Sequence, residues 1–64
     1  MVNGEKIALL MKEKEITYDR MSELVGISKS MLSFITTGKR EPNVRTLALI
    51  AAALDCTVDD LLVR

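Results

Sequence analysis

The sequence predicts an all-α fold, five short helices packed into one compact domain over residues 1–64. Three observations predict it. The apolar residues make up 48% of the chain and are mostly Leu, Ala, Met and Ile, which favour helix over strand. They recur at spacings of three and four, and no segment alternates apolar with polar residues as a half-buried strand does. Side chains suited to capping helix N-termini recur along the chain, and glycines close two of the segments they open.

Each element follows from its punctuation. Asn3 caps a first helix reaching about residue 14, with Ile7, Leu10 and Met11 on one face. Met21 belongs to the core, whereas Met11 and Met31 are expected to be half exposed. Thr17 caps a second helix over about residues 18–25, with Met21 and Val25 inward. Gly26 suits the left-handed position that ends a helix without a Cβ penalty. Ser28 caps a third helix of about two turns, with Leu32 and Ile35 inward, and Gly38 closes it. Residues 39–43 form a loop, because Pro42 biases Glu41 away from helical geometry. Asn43 caps a fourth helix carrying Val44, Leu47, Ile50, Ala51 and Leu54. Thr57 and Asp60 have the spacing of a capping box and open a fifth helix with Val58, Leu61 and Leu62.

Size and composition remove whole classes of function. By surface scaling, a 64-residue chain keeps about 4,100 Å² accessible and buries roughly 60% of its unfolded surface, a thin core. A single cysteine permits no intramolecular disulfide. The absence of histidine removes zinc-finger and haem-type ligand sets, and also a histidine base for nucleophilic catalysis. A chain this short rarely encloses a substrate pocket. No enzyme, cofactor, metal or small-molecule substrate is therefore expected. Cys56 reads as a small core residue, and Asp59 and Asp60 as first-turn acids that complement a helix dipole. The apolar run over residues 47–54 is too short to cross a bilayer, and the opening residues lack the layout of a signal peptide. A soluble, cytoplasmic domain is expected.

Net charge is zero, which taken alone argues against a nucleic-acid partner. The total conceals an asymmetry. Residues 24–45 carry four basic side chains (Lys29, Lys39, Arg40 and Arg45) against the single acid Glu41. That cationic stretch contains the most informative unit. Only Gly26-Ile27-Ser28 separates the second helix from the third, so the two cross steeply, as in a helix-turn-helix. Ser22 supplies the small side chain such a crossing needs. With Ile27, Leu32 and Ile35 anchored to the core, Lys29, Ser30, Ser33 and Phe34 face outward.

The chain here resembles the Cro/C1-type helix-turn-helix domains of phage repressors and related bacterial regulators. The resemblance rests on Ile16-Thr17, on Glu23-Leu24-Val25-Gly26-Ile27-Ser28-Lys29-Ser30 and on Gly38-Lys39-Arg40-Glu41-Pro42. It continues through Thr46-Leu47, Ile50-Ala51, Ala53-Leu54 and Thr57-Val58-Asp59-Asp60-Leu61-Leu62, and so covers residues 6–62. It implies a lambda-repressor-like fold whose third helix lies in the major groove of double-stranded DNA. By that resemblance Lys29, Ser30 and Phe34 read base edges, with Ser33 adjacent. Thr17 and Tyr18 at the start of the second helix contact phosphates, as do Thr37, Lys39, Arg40 and Asn43 around the following loop. The chain departs from the family where Tyr18 replaces a common Gln, Thr36 a common Glu, and Phe34 a polar or basic residue. Leu9, Met11, Leu24 and Leu49 are apolar at positions commonly polar in the family, which suggests self-association.

Bland readings stand beside these. Lys39 and Arg40 also suit a solvated loop after a helix, and Phe34 suits partial burial against a neighbouring helix or a partner as well as it suits groove contact. The resulting expectation is a sequence-specific DNA-binding transcriptional regulator, a repressor, acting as a homodimer. The last helix (Val58, Leu61, Leu62, Val63) is the first candidate interface, and Leu9 with Leu49 the second. The alternative is a helix-turn-helix scaffold serving as a protein-interaction module or antirepressor.

Overall fold

The computed structural model describes residues 1–63. Among them lie four α-helices, α1 (Gly4–Glu13), α2 (Tyr18–Val25), α3 (Lys29–Thr36) and α4 (Val44–Ala53), followed by a single 3₁₀ turn at Asp59–Leu61. All four expected N-caps are made. The side-chain oxygens of Asn3, Thr17, Ser28 and Asn43 accept the backbone N–H groups of Lys6, Arg20, Met31 and Thr46 at 3.1, 3.1, 3.0 and 2.7 Å. Each satisfies an otherwise orphaned donor of the first turn, worth about 1 kcal/mol.

Three C-termini close with paired reversed hydrogen bonds. The Ile16, Lys39 and Cys56 N–H groups reach back to Met11, Phe34 and Ala51, while Glu15, Gly38 and Asp55 bond to Lys12, Ile35 and Ala52. This is the Schellman arrangement, which needs a left-handed residue just past the helix. Glu15 (φ 56°) and Asp55 (φ 54°) adopt it without being glycine. After α2 the left-handed position is Gly26, at φ 79°.

The fifth helix is the one correction to the expected architecture. The Thr57–Asp60 capping box forms in both directions, Thr57 N–H to Asp60 Oδ2 at 3.0 Å and Asp60 N–H to Thr57 Oγ1 at 3.1 Å. The helix it would open stops after one 3₁₀ turn, because Leu62 is already extended (φ −94°, ψ 146°). The backbone there pairs with the other end of the chain. Asn3 N–H donates to the Leu61 carbonyl (2.7 Å), Val63 N–H to the Met1 carbonyl (2.9 Å), and Val2 and Leu62 form an isolated antiparallel bridge. Glu41 anchors the same segment by accepting the Val2 N–H at 2.8 Å.

The core collects Ile7 and Met11 from α1, Met21 and Val25 from α2, Leu32 and Ile35 from α3, and Leu47, Ile50 and Ala51 from α4, closed by Val2, Leu54 and Leu61. Met11 is buried rather than half exposed, since it faces this cluster from the last turns of α1. Leu61 is fully buried, so it seals its own core and is withdrawn from the surface the sequence reading gave it. The accessible surface of 4285 Å² agrees with the scaling estimate. No helix among the described residues is long and apolar enough to cross a membrane.

Candidate nucleic-acid interface

A short turn joins α2 to α3. Within α2, Ser22 donates its hydroxyl to the Asp19 carbonyl (2.8 Å), and its own carbonyl accepts the N–H groups of Gly26 and Ile27 that open the turn. Ser28 then restarts the chain as a cap. Leu32 and Ile35 are fully buried and Ile27 and Met31 partly so, which fixes the rotation of α3 about its axis. The side chains left outside are Lys29, Ser30, Ser33 and Phe34, all exposed. Phe34 keeps 41% of its surface open.

Lys29 is not a bare cation. Its Nζ lies 2.9 Å from Asp19 Oδ1 on the first turn of α2, with both side chains largely exposed. An ion pair so open to solvent is worth at most about 1 kcal/mol. It orients the ammonium across the start of α3 while leaving it easy to transfer to another acceptor. Asp19 was absent from the sequence-derived set, because the pairing arises only when α2 and α3 cross.

The remaining residues of that set surround α3, and their hydrogen-bond states differ. Thr17 accepts the Arg20 N–H at its hydroxyl oxygen, so the hydroxyl hydrogen remains available for donation outward. Asn43 caps α4 through Oδ1, which leaves its amide NH₂ as donor. Thr37 is exposed but gives its hydroxyl hydrogen to the Ser33 carbonyl at 2.7 Å. Lys39 and Arg40 are exposed on the loop after α3, and their backbone N–H groups hold that loop to the Phe34 carbonyl at 2.8 and 3.1 Å. Tyr18 Oη lies 2.7 Å from Thr36 Oγ1, joining the start of α2 to the end of α3. Arg45, exposed on the first turn of α4, adds a cation that the sequence reading counted in the basic stretch without a role.

The titratable groups with displaced values lie elsewhere in the molecule. Burial, reinforced by the Asp60 carboxylate, raises the Cys56 thiol and keeps it protonated. The Thr57 backbone N–H, with the Thr57 side chain, lowers Asp60. Neither group bears on the α3 face. What that face offers is a short helix with small polar and cationic side chains at its exposed start, flanked by two hydrogen-bonding caps and a basic loop. Such a surface suits a polyanion with hydrogen-bonding edges in a groove.

Comparison with known proteins agrees with the geometry. A helix-turn-helix family model matches residues 7–61. The SPbeta prophage-derived uncharacterized HTH-type transcriptional regulator YopS of Bacillus subtilis (strain 168) is 45% identical over 53 residues, covering 81% of this chain and 72% of YopS. The HTH-type transcriptional regulator AnsR of the same organism is 33% identical over 63 residues, or 98% of this chain. The chain spans only 54% of AnsR's length. Among solved structures, the P22 c2 repressor in complex with a synthetic operator superposes with a TM-score of 0.90 at 31% identity, covering 97% of this chain and 94% of the repressor.

Proposed function

Because the chain belongs to the helix-turn-helix family of transcriptional regulators, we infer that it is a sequence-specific DNA-binding regulator of transcription, a repressor that reads the major groove with α3. The observation that carries this is the outward face of α3. Lys29, Ser30, Ser33 and Phe34 are all exposed there, on a helix whose rotation the buried Leu32 and Ile35 hold fixed. Operator binding by the similar P22 c2 repressor supports the same reading.

Roles follow from the chemistry of each group. Lys29 exchanges Asp19 for guanine O6 or N7, Ser30 and Ser33 hydrogen-bond to base edges or a nearby phosphate, and Phe34 packs on a thymine methyl. Thr17, Tyr18, Thr37, Lys39, Arg40 and Asn43 meet phosphates and so set register and affinity rather than sequence. For Thr37 this requires its hydroxyl to leave Ser33. One copy measures 28 Å in its longest dimension and presents a single α3. Two successive major-groove faces lie about 34 Å apart, so a homodimer on a near-palindromic site is the assembly that reads both.

Selection of bound fragments from random duplexes, followed by affinity measurements on the selected site, tests the proposal. Lys29→Ala should lower the preference for that site over random DNA by about ten-fold. Arg40→Ala should weaken selected and random sequences alike and reduce the salt slope by about one. If the protein retains no duplex at low salt, the α3 face serves a protein partner instead. If both variants bind as the parent does, the contact assignment is wrong.

A further inference from the structure

We propose that Thr36 is a positioning residue for DNA-backbone binding: it turns the Tyr18 hydroxyl into a phosphate donor by reversing the direction of their hydrogen bond. The inference rests on the DNA-binding reading above. Thr36 is the buried polar side chain among the described residues, at 7% exposure. Its Oγ1 lies 2.7 Å from Tyr18 Oη, where either oxygen can donate, and 3.2 Å from the Ser33 carbonyl. That carbonyl is oversubscribed. It also accepts the Thr37 hydroxyl at 2.7 Å and the Thr37 N–H at 3.0 Å, and a carbonyl oxygen has two lone pairs. The Thr36 bond is the longest of the three and the one given up at least cost.

Two hydrogen-bond directions therefore fit one heavy-atom arrangement. Directed inward, Tyr18 donates to Thr36 and Thr36 donates to the Ser33 carbonyl. Directed outward, Thr36 donates to the phenol oxygen, and the phenol hydrogen is released toward solvent at the start of α2. In either direction the Ser33 carbonyl keeps the Thr37 N–H, and it keeps the Thr37 hydroxyl until a phosphate draws that hydroxyl away. A phosphate oxygen arriving beside Tyr18 selects the outward direction, because a charge-assisted bond is stronger than a neutral one and a phenol that accepts a hydrogen bond donates more strongly. Tyr18 and Thr36 thus act as a unit although one is exposed and the other buried.

The test is a double-mutant cycle with a short random-sequence duplex at fixed low salt. Tyr18→Phe and Thr36→Val should each weaken binding by about five- to ten-fold, the double variant no further than Tyr18→Phe alone, and Thr36→Ser should bind within about two-fold of the parent. Thermal unfolding of each variant separates loss of binding from loss of fold. Parent-like binding by Thr36→Val overturns the proposal, as does a loss that multiplies with Tyr18→Phe, or Thr36→Ser binding as poorly as Thr36→Val. Failure of the parent protein to bind the duplex overturns the DNA-binding reading as well, which distinguishes the two.

Discussion

A missing carbon atom sets how closely α1 approaches α3. A Cβ on Gly4 would meet the Ile35 carbonyl oxygen and lie 2.6 Å from that of Thr36, both backbone atoms of the last turn of α3. Those carbonyls cannot swing aside as a side chain would. Gly4→Ala gains helix propensity, up to about 1 kcal/mol, but overpacks a backbone contact at about 1–3 kcal/mol. Net destabilisation is expected, with the melting temperature falling by about 4–8 °C for each kcal/mol lost. An unchanged melting temperature would mean that α1 backs away freely. Thr36, whose backbone carbonyl lies against Gly4, also hydrogen-bonds Tyr18 through its side chain, so packing and the candidate interface meet at one residue. The Lys29–Asp19 pair is a contrasting case: exposed on both sides, it adds little stability and chiefly sets a direction.

The helices are defined by their ends more than by their lengths. α2 and α3 have eight residues each, too short to persist alone, and depend on capping and on one buried stripe. The Thr57–Asp60 box does the same for the 3₁₀ turn that brings Leu61 into the core. Because that box lowers the Asp60 pKa in the folded state, its contribution is complete above the unfolded-state value and is lost as pH falls through the folded one. The window lies below about pH 4. Asp60→Asn removes the charge, so its melting temperature should lie below the parent's at neutral pH, with the gap closing in acid. A gap of constant size between pH 7 and 3 would show that the carboxylate charge contributes nothing.

For the whole molecule, zero net charge conceals a segregated distribution, with the basic stretch of residues 24–45 supplying α3 and the loop that follows it. Local field rather than net charge steers a short α3 face toward a polyanion. A homodimer on DNA has a geometric signature. Inserting about five base pairs between the half-sites, half a helical turn, should reduce affinity to that of a single half-site, whereas about ten should largely restore it. Spacing-independent affinity, measured by gel shift, would exclude a fixed dimer. Leu9 and Leu49 remain exposed and available to such an interface, as does Val63, whereas Leu61 does not.

Much that depends on neighbours in the chain was legible from the sequence, although the left-handed Glu15 and Asp55 past α1 and α4 were not, because neither is the glycine that usually marks that position. The four N-caps, the left-handed Gly26, the Thr57–Asp60 box and the exposed α3 face all involve residues within a turn or so of one another, and local sterics and hydrogen bonding decide them. Features that join distant residues were not legible. The Val2–Glu41 bond spans 39 positions and the Tyr18–Thr36 bond 18. The backbone pairing of residues 1–3 with residues 61–63 replaced the expected fifth helix with a 3₁₀ turn. Local propensity predicts that a helix begins at Thr57. Whether it continues depends on a competing backbone partner, and only the packed chain supplies that partner.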